Sequence, residues 1–258
     1  MSRWGKLEII YLCCFSFLAG LVDSIVGGGG LIHLPALLLF GPAHLGIASI
    51  WGTNKFAAMC GTGTAAVRYA QRVAIPWPSI LPAVMAAFLF SLFGAMAVSL
   101  IRPEILKPLI VVLLVVVAAY TYARKDFGSL HAPRFVAHYE RWWGILVGMV
   151  LGFYDGFFGP GTGSFLIFIF IGWFGFDFLS ASASAKFINL ATNLSAVSYF
   201  AATGQVVYRL ALPMALANVL GSVVGTRLAV WKGNQFVRIF FLVVIGAMIL
   251  RLGWDLIR

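Results

Sequence analysis

The chain has 258 residues, is 62% hydrophobic and only 10% charged, and has a mean hydropathy of +0.99; a water-soluble domain is about 45–50% apolar and about 25% charged, so a soluble fold is excluded. The net charge of +10 (18 Lys and Arg, 8 Asp and Glu) would suggest nucleic acid in a soluble protein, but Arg3, Lys6, Arg68, Arg72, Arg102, Lys107, Arg124, Lys125, Arg134 and Arg141 fall between apolar runs, where basic residues meet lipid headgroups and set orientation. Cys13, Cys14 and Cys60 lie inside apolar runs without C-x-x-C spacing, which argues against a disulfide framework or a zinc site and for packing.

The first apolar run, Leu7 to Val26, follows Arg3 and Lys6 and so has the outline of a secretory signal peptide. Its similarity to a later segment argues that it is retained. It carries Asp23 and ends in a glycine run, Gly27 to Gly30, after which comes a short arm, Leu31 to Phe40. Leu45 to Ala70 bears Thr53, Asn54, Lys55 and Thr62; Ile75 to Ile101 bears Pro82 and Gly94; Ile105 to Tyr122 closes the first set, and a basic polar segment, Arg124 to Arg141, follows. Trp143 to Phe158 then carries Asp155 into a second turn, Gly159-Pro160-Gly161-Thr162-Gly163, with a second short arm, Gly163 to Phe174. Phe178 to Ala202 contains Lys186, Asn189 and Asn193, and the chain ends with Leu210 to Trp231 and Phe236 to Trp254. Lipid offers backbone groups no partners, so these runs are expected to be helices, and the alternation of a β-barrel is missing.

The second set repeats the first. Gly20, Asp23, Gly27 and Gly29 fall on Gly152, Asp155, Gly159 and Gly161 at an offset of 132, and Lys55-Phe56, Pro82 and Gly94 fall on Lys186-Phe187, Pro213 and Gly225 at an offset of 131. The expected organisation is therefore a first transmembrane repeat (1–123), a basic linker (124–141) and a second transmembrane repeat (142–258). At 1.5 Å per residue the short arm Leu31 to Phe40 covers about 15 Å, half of a roughly 30 Å hydrocarbon core, so it is expected to be half of a re-entrant hairpin or of a broken helix, with the glycine turn near the midplane. Each half then crosses an odd number of times. The expected fold is an all-α polytopic membrane protein: an inverted repeat whose halves each combine a glycine-turn broken or re-entrant helix with three spanning helices, as in many secondary transporters.

Charged residues at membrane depth carry the chemistry, because a Lys or Asp near the bilayer centre costs about 2.5–3.5 kcal/mol even on the lenient insertion scale. Lys55 and Lys186 occupy equivalent positions, and an anion between them would offset both costs. The bland alternative is a pair of buried salt bridges in which Asp23 and Asp155 neutralise the lysines and nothing is transported. Asp23 and Asp155, each ahead of a glycine turn, are also candidate carriers of a coupling proton. No strand precedes either glycine run, so neither is a nucleotide phosphate loop. A helix starting after such a turn instead points free N–H groups and its positive dipole end at the turn, which nominates Gly28, Gly29, Gly30, Leu31, Gly161, Thr162, Gly163 and Ser164 as anion ligands. Tight helix packing is the other reading of glycine here, and it is the expectation for Gly221 and Gly225.

Lys186, Asn189 and Asn193 share one helical face, and Thr53, Asn54 and Thr62 are the polar neighbours of Lys55; all can hydrogen-bond an oxyanion, or merely bridge helices. His33 has Phe165 as its counterpart and so gains no support from the repeat. His33, His44, His131 and His138 are scattered without an H-E-x-x-H run, and no triad emerges. The expectation is a non-enzyme with no catalytic residues, no metal and no cofactor.

The blocks GLVDSIVGGGGLIHLPALLLFG and GTNKFAA, with GFYDGFFGPGTGSF and ASAKFINLATN in the second half, resemble the TauE/SafE sulfite exporter family over nearly the whole chain. The resemblance implies a multi-pass inner-membrane carrier of small sulfur-containing anions such as sulfite, sulfonates or sulfoacetate, driven by an ion gradient. By position, Gly27 to Gly30 and Pro35 match the family's first glycine-proline block, Thr53 and Asn54 its Thr-Asn pair, and Gly159, Gly161 and Gly163 its second glycine block, where Pro160 and Thr162 replace glycine. Ile167 stands where Pro35 would recur, so the two short arms are expected to bend, and the two half-sites to bind, unequally. The expected mechanism is alternating access with an oxyanion at midplane; the rivals are an anion channel, a carrier of a non-sulfur organic anion and a membrane scaffold.

Overall fold

A computed structural model describes residues 6–42, 45–98, 115, 119, 121, 122 and 128–257. The protein is an all-α membrane protein, with eight helices and no strand among the described residues. They are α1 (Lys6–Val26), α2 (Gly30–Phe40), α3 (Ile47–Ala70), α4 (Trp77–Ala97), α5 (Ala137–Phe157), α6 (Thr162–Gly172), α7 (Phe178–Ala202) and α8 (Tyr208–Ile257). Gly233, at φ 73° and ψ −167°, breaks the 50-residue α8 into two limbs, matching the two apolar runs on either side of it. Of the expected run Ile105 to Tyr122, only 115, 119, 121 and 122 are described; Arg3, His44, Arg102, Lys107, Arg124 and Lys125 also lie outside the described residues. Helix α5 starts inside the segment 124–141 expected as a linker. In its first turn Glu140 is buried and accepts a hydrogen bond from Ser79 Oγ at 2.7 Å.

Helices α1, α4 and α8 are long and apolar enough to cross a membrane. Their outer faces reverse the pattern of a soluble protein. Leu81, Met85, Leu89 and Phe93 on α4 are all exposed, and so are Leu212, Leu216, Leu220 and Val224 on α8, each set four residues apart and the second 131 residues after the first. A four-residue stripe is one face of a helix, and exposed apolar stripes of this length face lipid. The polar side chains point inwards: Lys55, Thr53 and Asn54 on α3 and Lys186, Asn189 and Asn193 on α7 are buried.

The two short helices fold back along their predecessors. Phe40, the last residue of α2, stacks on Phe15 and tilts against Tyr11 near the start of α1, with ring centroids 5.6 and 5.3 Å apart. Likewise Trp173, just past α6, meets Trp143 near the start of α5 edge to face at 5.2 Å. The choice between hairpin and broken helix is thus resolved as a hairpin in both halves. Each short arm has 11 residues, about 16 Å of helix, which is about half of a roughly 30 Å hydrocarbon thickness.

The halves interlock rather than sit side by side. α1 packs on α8, and α5, its counterpart in the repeat, packs on α4. The seams are made by small residues: at Gly94 a side chain would run into Phe153 of α5, and at Gly225 into Leu21 of α1, positions that correspond in the repeat. Ser91 Oγ donates to Thr192 O at 2.9 Å, and Ser222 Oγ donates to Gly61 O at 2.6 Å. Donors and acceptors of these two bonds are each 131 residues apart, so one contact is built twice with the halves exchanged.

Candidate functional site

The two hairpin tips meet. Gly27, at φ 76°, adopts a backbone that favours glycine, and it lies so close to Gly163 that a Cβ on Gly163 would sit 2.7 Å from Gly27 Cα. Ser164 Oγ, at the start of α6, donates to Val26 O across the same contact at 3.1 Å. The starts of α2 and α6 are therefore fixed against each other; neither has a side-chain cap, and the amides of Leu31, Ile32 and Thr162 already donate to Gly28 O, Gly29 O and Gly159 O, so it is the positive dipole ends rather than a full set of free N–H groups that face the space beside them.

Beside the tips lie two ion pairs that cross between the halves. Lys55 Nζ on α3 is 2.8 Å from Asp155 Oδ2 on α5, and both side chains are over 90% buried. Lys186 Nζ on α7 is 3.0 Å from Asp23 Oδ2 on α1 and also donates to the Asp23 carbonyl oxygen. Lys186 is fully buried, while Asp23 is 20% exposed. Asp23 further accepts from Thr62 Oγ1 at 3.3 Å and from the Gly29 amide at 3.4 Å. The salt-bridge reading of these residues is therefore correct as far as pairing goes, yet the pairs do not stand apart from open space.

A cavity of about 40 Å³ opens against them. It is lined from α1 by Ala19 and Asp23, from the first tip and α2 by Gly28, Gly29, Gly30, His33 and Leu34, and from α3 by Asn54, Lys55, Ala58 and Thr62. The second half contributes Asp155, Gly159, Thr162, Gly163, Asn189, Asn193 and Asn218. One water needs roughly 10–15 Å³ on this measure, so the space suits a group of a few heavy atoms. Three of its lining side chains have a buried polar atom with no hydrogen-bond partner: His33 Nε2, Asn54 Oδ1 and Asn189 Oδ1. Buried polar atoms are nearly always paired, and unpaired ones facing a cavity mark where water or a ligand belongs.

A model of the sulfite exporter TauE/SafE family matches residues 12–252. The chain belongs to this family. Among curated relatives, a "probable membrane transporter protein ORF9" of a Sinorhizobium species is 33% identical over 247 residues, covering 96% of this chain and 93% of that one. A "probable membrane transporter protein" of Haemophilus influenzae is 31% identical over 244 residues (95% and 94%), and "probable membrane transporter protein YfcA" of Escherichia coli K12 is 30% identical over 240 residues (93% and 87%). No solved structure matches the chain. Membership of the TauE/SafE family makes the protein a membrane transporter, with a small-molecule substrate and a lipid environment.

Within this TauE/SafE protein, the sequence-expected residues Gly28, Gly29, Gly30, Asn54, Lys55, Thr162, Gly163, Asn189 and Asn193 all line the cavity, together with Asp23 and Asp155. Others do not. Thr53 Oγ1 accepts from the Val207 amide at 3.1 Å and Ser164 Oγ donates to Val26 O; Leu31, Gly161 and Lys186 are not part of the lining either, and Lys186 is tied to Asp23, which is. His33 and Asn218 line the cavity although neither recurs in the repeat. Their counterparts are Phe165 and Ala87, so duplication carries no signal for either; for His33, the one sequence signal is an ionisable ring in a helix of apolar residues. Gly221 and Gly225 pack against α1, and Cys13, Cys14 and Cys60 are free.

Proposed function

We propose that this transporter carries small sulfur-containing anions, of the sulfite, sulfonate or sulfoacetate type, across the cell inner membrane by alternating access, with a proton as the coupling ion. The observation that carries the reading is the crossed pair of ion pairs flanking one polar cavity at the meeting point of two glycine tips. Each lysine is already matched by an aspartate, so an anion entering alone would bring an uncompensated charge into a low-dielectric space, which is strongly unfavourable. A proton taken by Asp23 or Asp155 removes that conflict: it cancels the carboxylate and releases Lys186 or Lys55 to the anion. Charge balance then ties one proton to each negative charge carried.

The positive dipole ends at the starts of α2 and α6 add to the anion's stabilisation. Contacts repeated with the halves exchanged support an inverted repeat with the cavity near its two-fold axis, a geometry in which rocking one half against the other exposes the site to alternate sides. Since the ion pairs are made between halves, such rocking remakes them, and occupancy of the cavity is coupled to the motion. Counterflow in proteoliposomes tests the proposal: a carrier preloaded with unlabelled sulfite takes up labelled sulfite in a saturable way. Current without exchange would identify a channel instead, and neither would identify a scaffold.

A further inference from the structure

His33 lies just past the start of α2, is 1% exposed, lines the cavity and has an unpartnered Nε2. Asn54 of α3 is within reach of its ring, and Asn189 of α7 closes the set. A buried imidazole nitrogen or amide oxygen without a partner has lost its water and gained nothing in return. Here His33 Nε2, Asn54 Oδ1 and Asn189 Oδ1 make no well-aligned hydrogen bond, the His33 ring and Asn54 interacting only loosely with each other, and all three residues line one cavity from three helices.

The place related by the repeat is built differently. Phe165 stands for His33, Ala185 for Asn54 and Pro160 for Gly28. Phe165 is buried, packs on Tyr154 with ring centroids 6.0 Å apart, and lies over Gly161. That side therefore offers apolar surface where the other offers hydrogen bonds.

We infer that the protein has one anion site per chain, in the cavity where the two glycine tips meet, and that His33 and Asn54 set its specificity together with Asn189. The inference rests on the transport function proposed above and adds the number of sites and the shape of the ligand. A neutral imidazole donates from Nε2, and a carboxamide turned about its last bond presents Nδ2–H where it showed Oδ1. Three donors from three helices address three oxygens arranged as a pyramid. The cavity is therefore a seat for an XO₃ head group, whether free sulfite or the end of a sulfonate whose carbon tail leaves the cavity. A flat two-oxygen carboxylate leaves one donor unmet, and leaving a donor unmet is how a polar site rejects a near-isostere.

The test is calorimetric titration of the purified full chain with sulfite, methanesulfonate and acetate. The expected result is a stoichiometry near one, with both XO₃ probes bound more tightly than acetate. His33→Phe, which installs the mirrored residue, should weaken sulfite binding by about tenfold or more, as loss of one hydrogen bond to a charged group predicts. His33→Gln can place its Nε2 near that of the imidazole and should restore most of the affinity; His33→Asn is too short and should not. This comparison decides the matter even if the Phe variant does not fold. Phe165→His should leave the stoichiometry at one. Two sites per chain, equal affinity in the Gln and Asn variants, or sulfite bound no better than acetate would overturn the inference while leaving anion transport intact. If the wild type binds none of the probes and shows no counterflow, the proposed function falls with it.

Discussion

Lys186 Nζ lies 3.0 Å from Asp23 Oδ2 and also donates to the Asp23 carbonyl, so one fully buried ammonium holds both the side chain and the backbone of a residue 163 positions away. That carbonyl belongs to the last turn of α1, whose Asp23 O also accepts from the Gly27 amide at 2.9 Å. The lysine of one half thus fixes the geometry of the other half's glycine tip, and the charge state of Asp23 bears directly on the anion-facing backbone.

Removing one partner of a buried pair should cost more than removing both. Lys55→Ala strands Asp155, whose side chain is 7% exposed, and breaking such a pair typically costs about 3–5 kcal/mol. The double variant Lys55→Met/Asp155→Leu replaces the pair with apolar volume and should recover most of that loss while remaining inactive in counterflow. Thermal unfolding of the detergent-purified proteins reads the first effect. A double variant as unstable as the single one would show that the pair is not an isolated buried unit.

Neutralising an aspartate should separate transport from coupling. In Asp23→Asn the lysine is permanently released, so anion exchange down a gradient should persist, while uphill accumulation driven by an imposed proton gradient should vanish. The measurement is sulfite uptake into vesicles with and without an inside-alkaline pH step. Undiminished proton-driven accumulation in both Asp23→Asn and Asp155→Asn would remove these residues from the coupling step.

The tip-to-tip contact should tolerate no side chain. Gly163→Ala would press its Cβ to 2.7 Å from Gly27 Cα and 2.9 Å from Asn189 Nδ2, and relief requires the hairpins to part. Overpacking of this kind costs about 1–3 kcal/mol. Gly246→Ala is the control, since nothing lies within 4 Å of a Cβ there and the position is inside a helix, where Ala is favoured over Gly. Thermal stability should fall only for Gly163→Ala, and transport should fall with it.

Much of this arrangement is legible in the amino-acid sequence, and the reason is the membrane. Lys55, Lys186, Asp23 and Asp155 stand out because charge in hydrocarbon must be compensated and because each recurs at the repeat offset; the glycine tips stand out for the same recurrence. What repetition hides is of two kinds. Which aspartate serves which lysine is a matter of long-range packing, and the crossed pairing, 163 residues apart in one case, has no local signature. His33 and Asn218 are hidden because they break the repeat.

Topology offers the sharpest test of the inverted arrangement. Gln71 follows α3 and Thr203 follows α7, both are exposed, and the two helices correspond in the repeat. If the halves are inverted, these helices run in opposite directions through the bilayer, and their ends emerge on opposite faces. In a background with Cys13, Cys14 and Cys60 changed to Ser, Gln71→Cys and Thr203→Cys should therefore be labelled by a membrane-impermeant maleimide from opposite sides of sealed, oriented vesicles. Labelling from one side for both would mean parallel repeats. The crossed ion pairs would survive that result, but the two-fold axis in the membrane plane, and with it rocking of one half against the other about the cavity, would not.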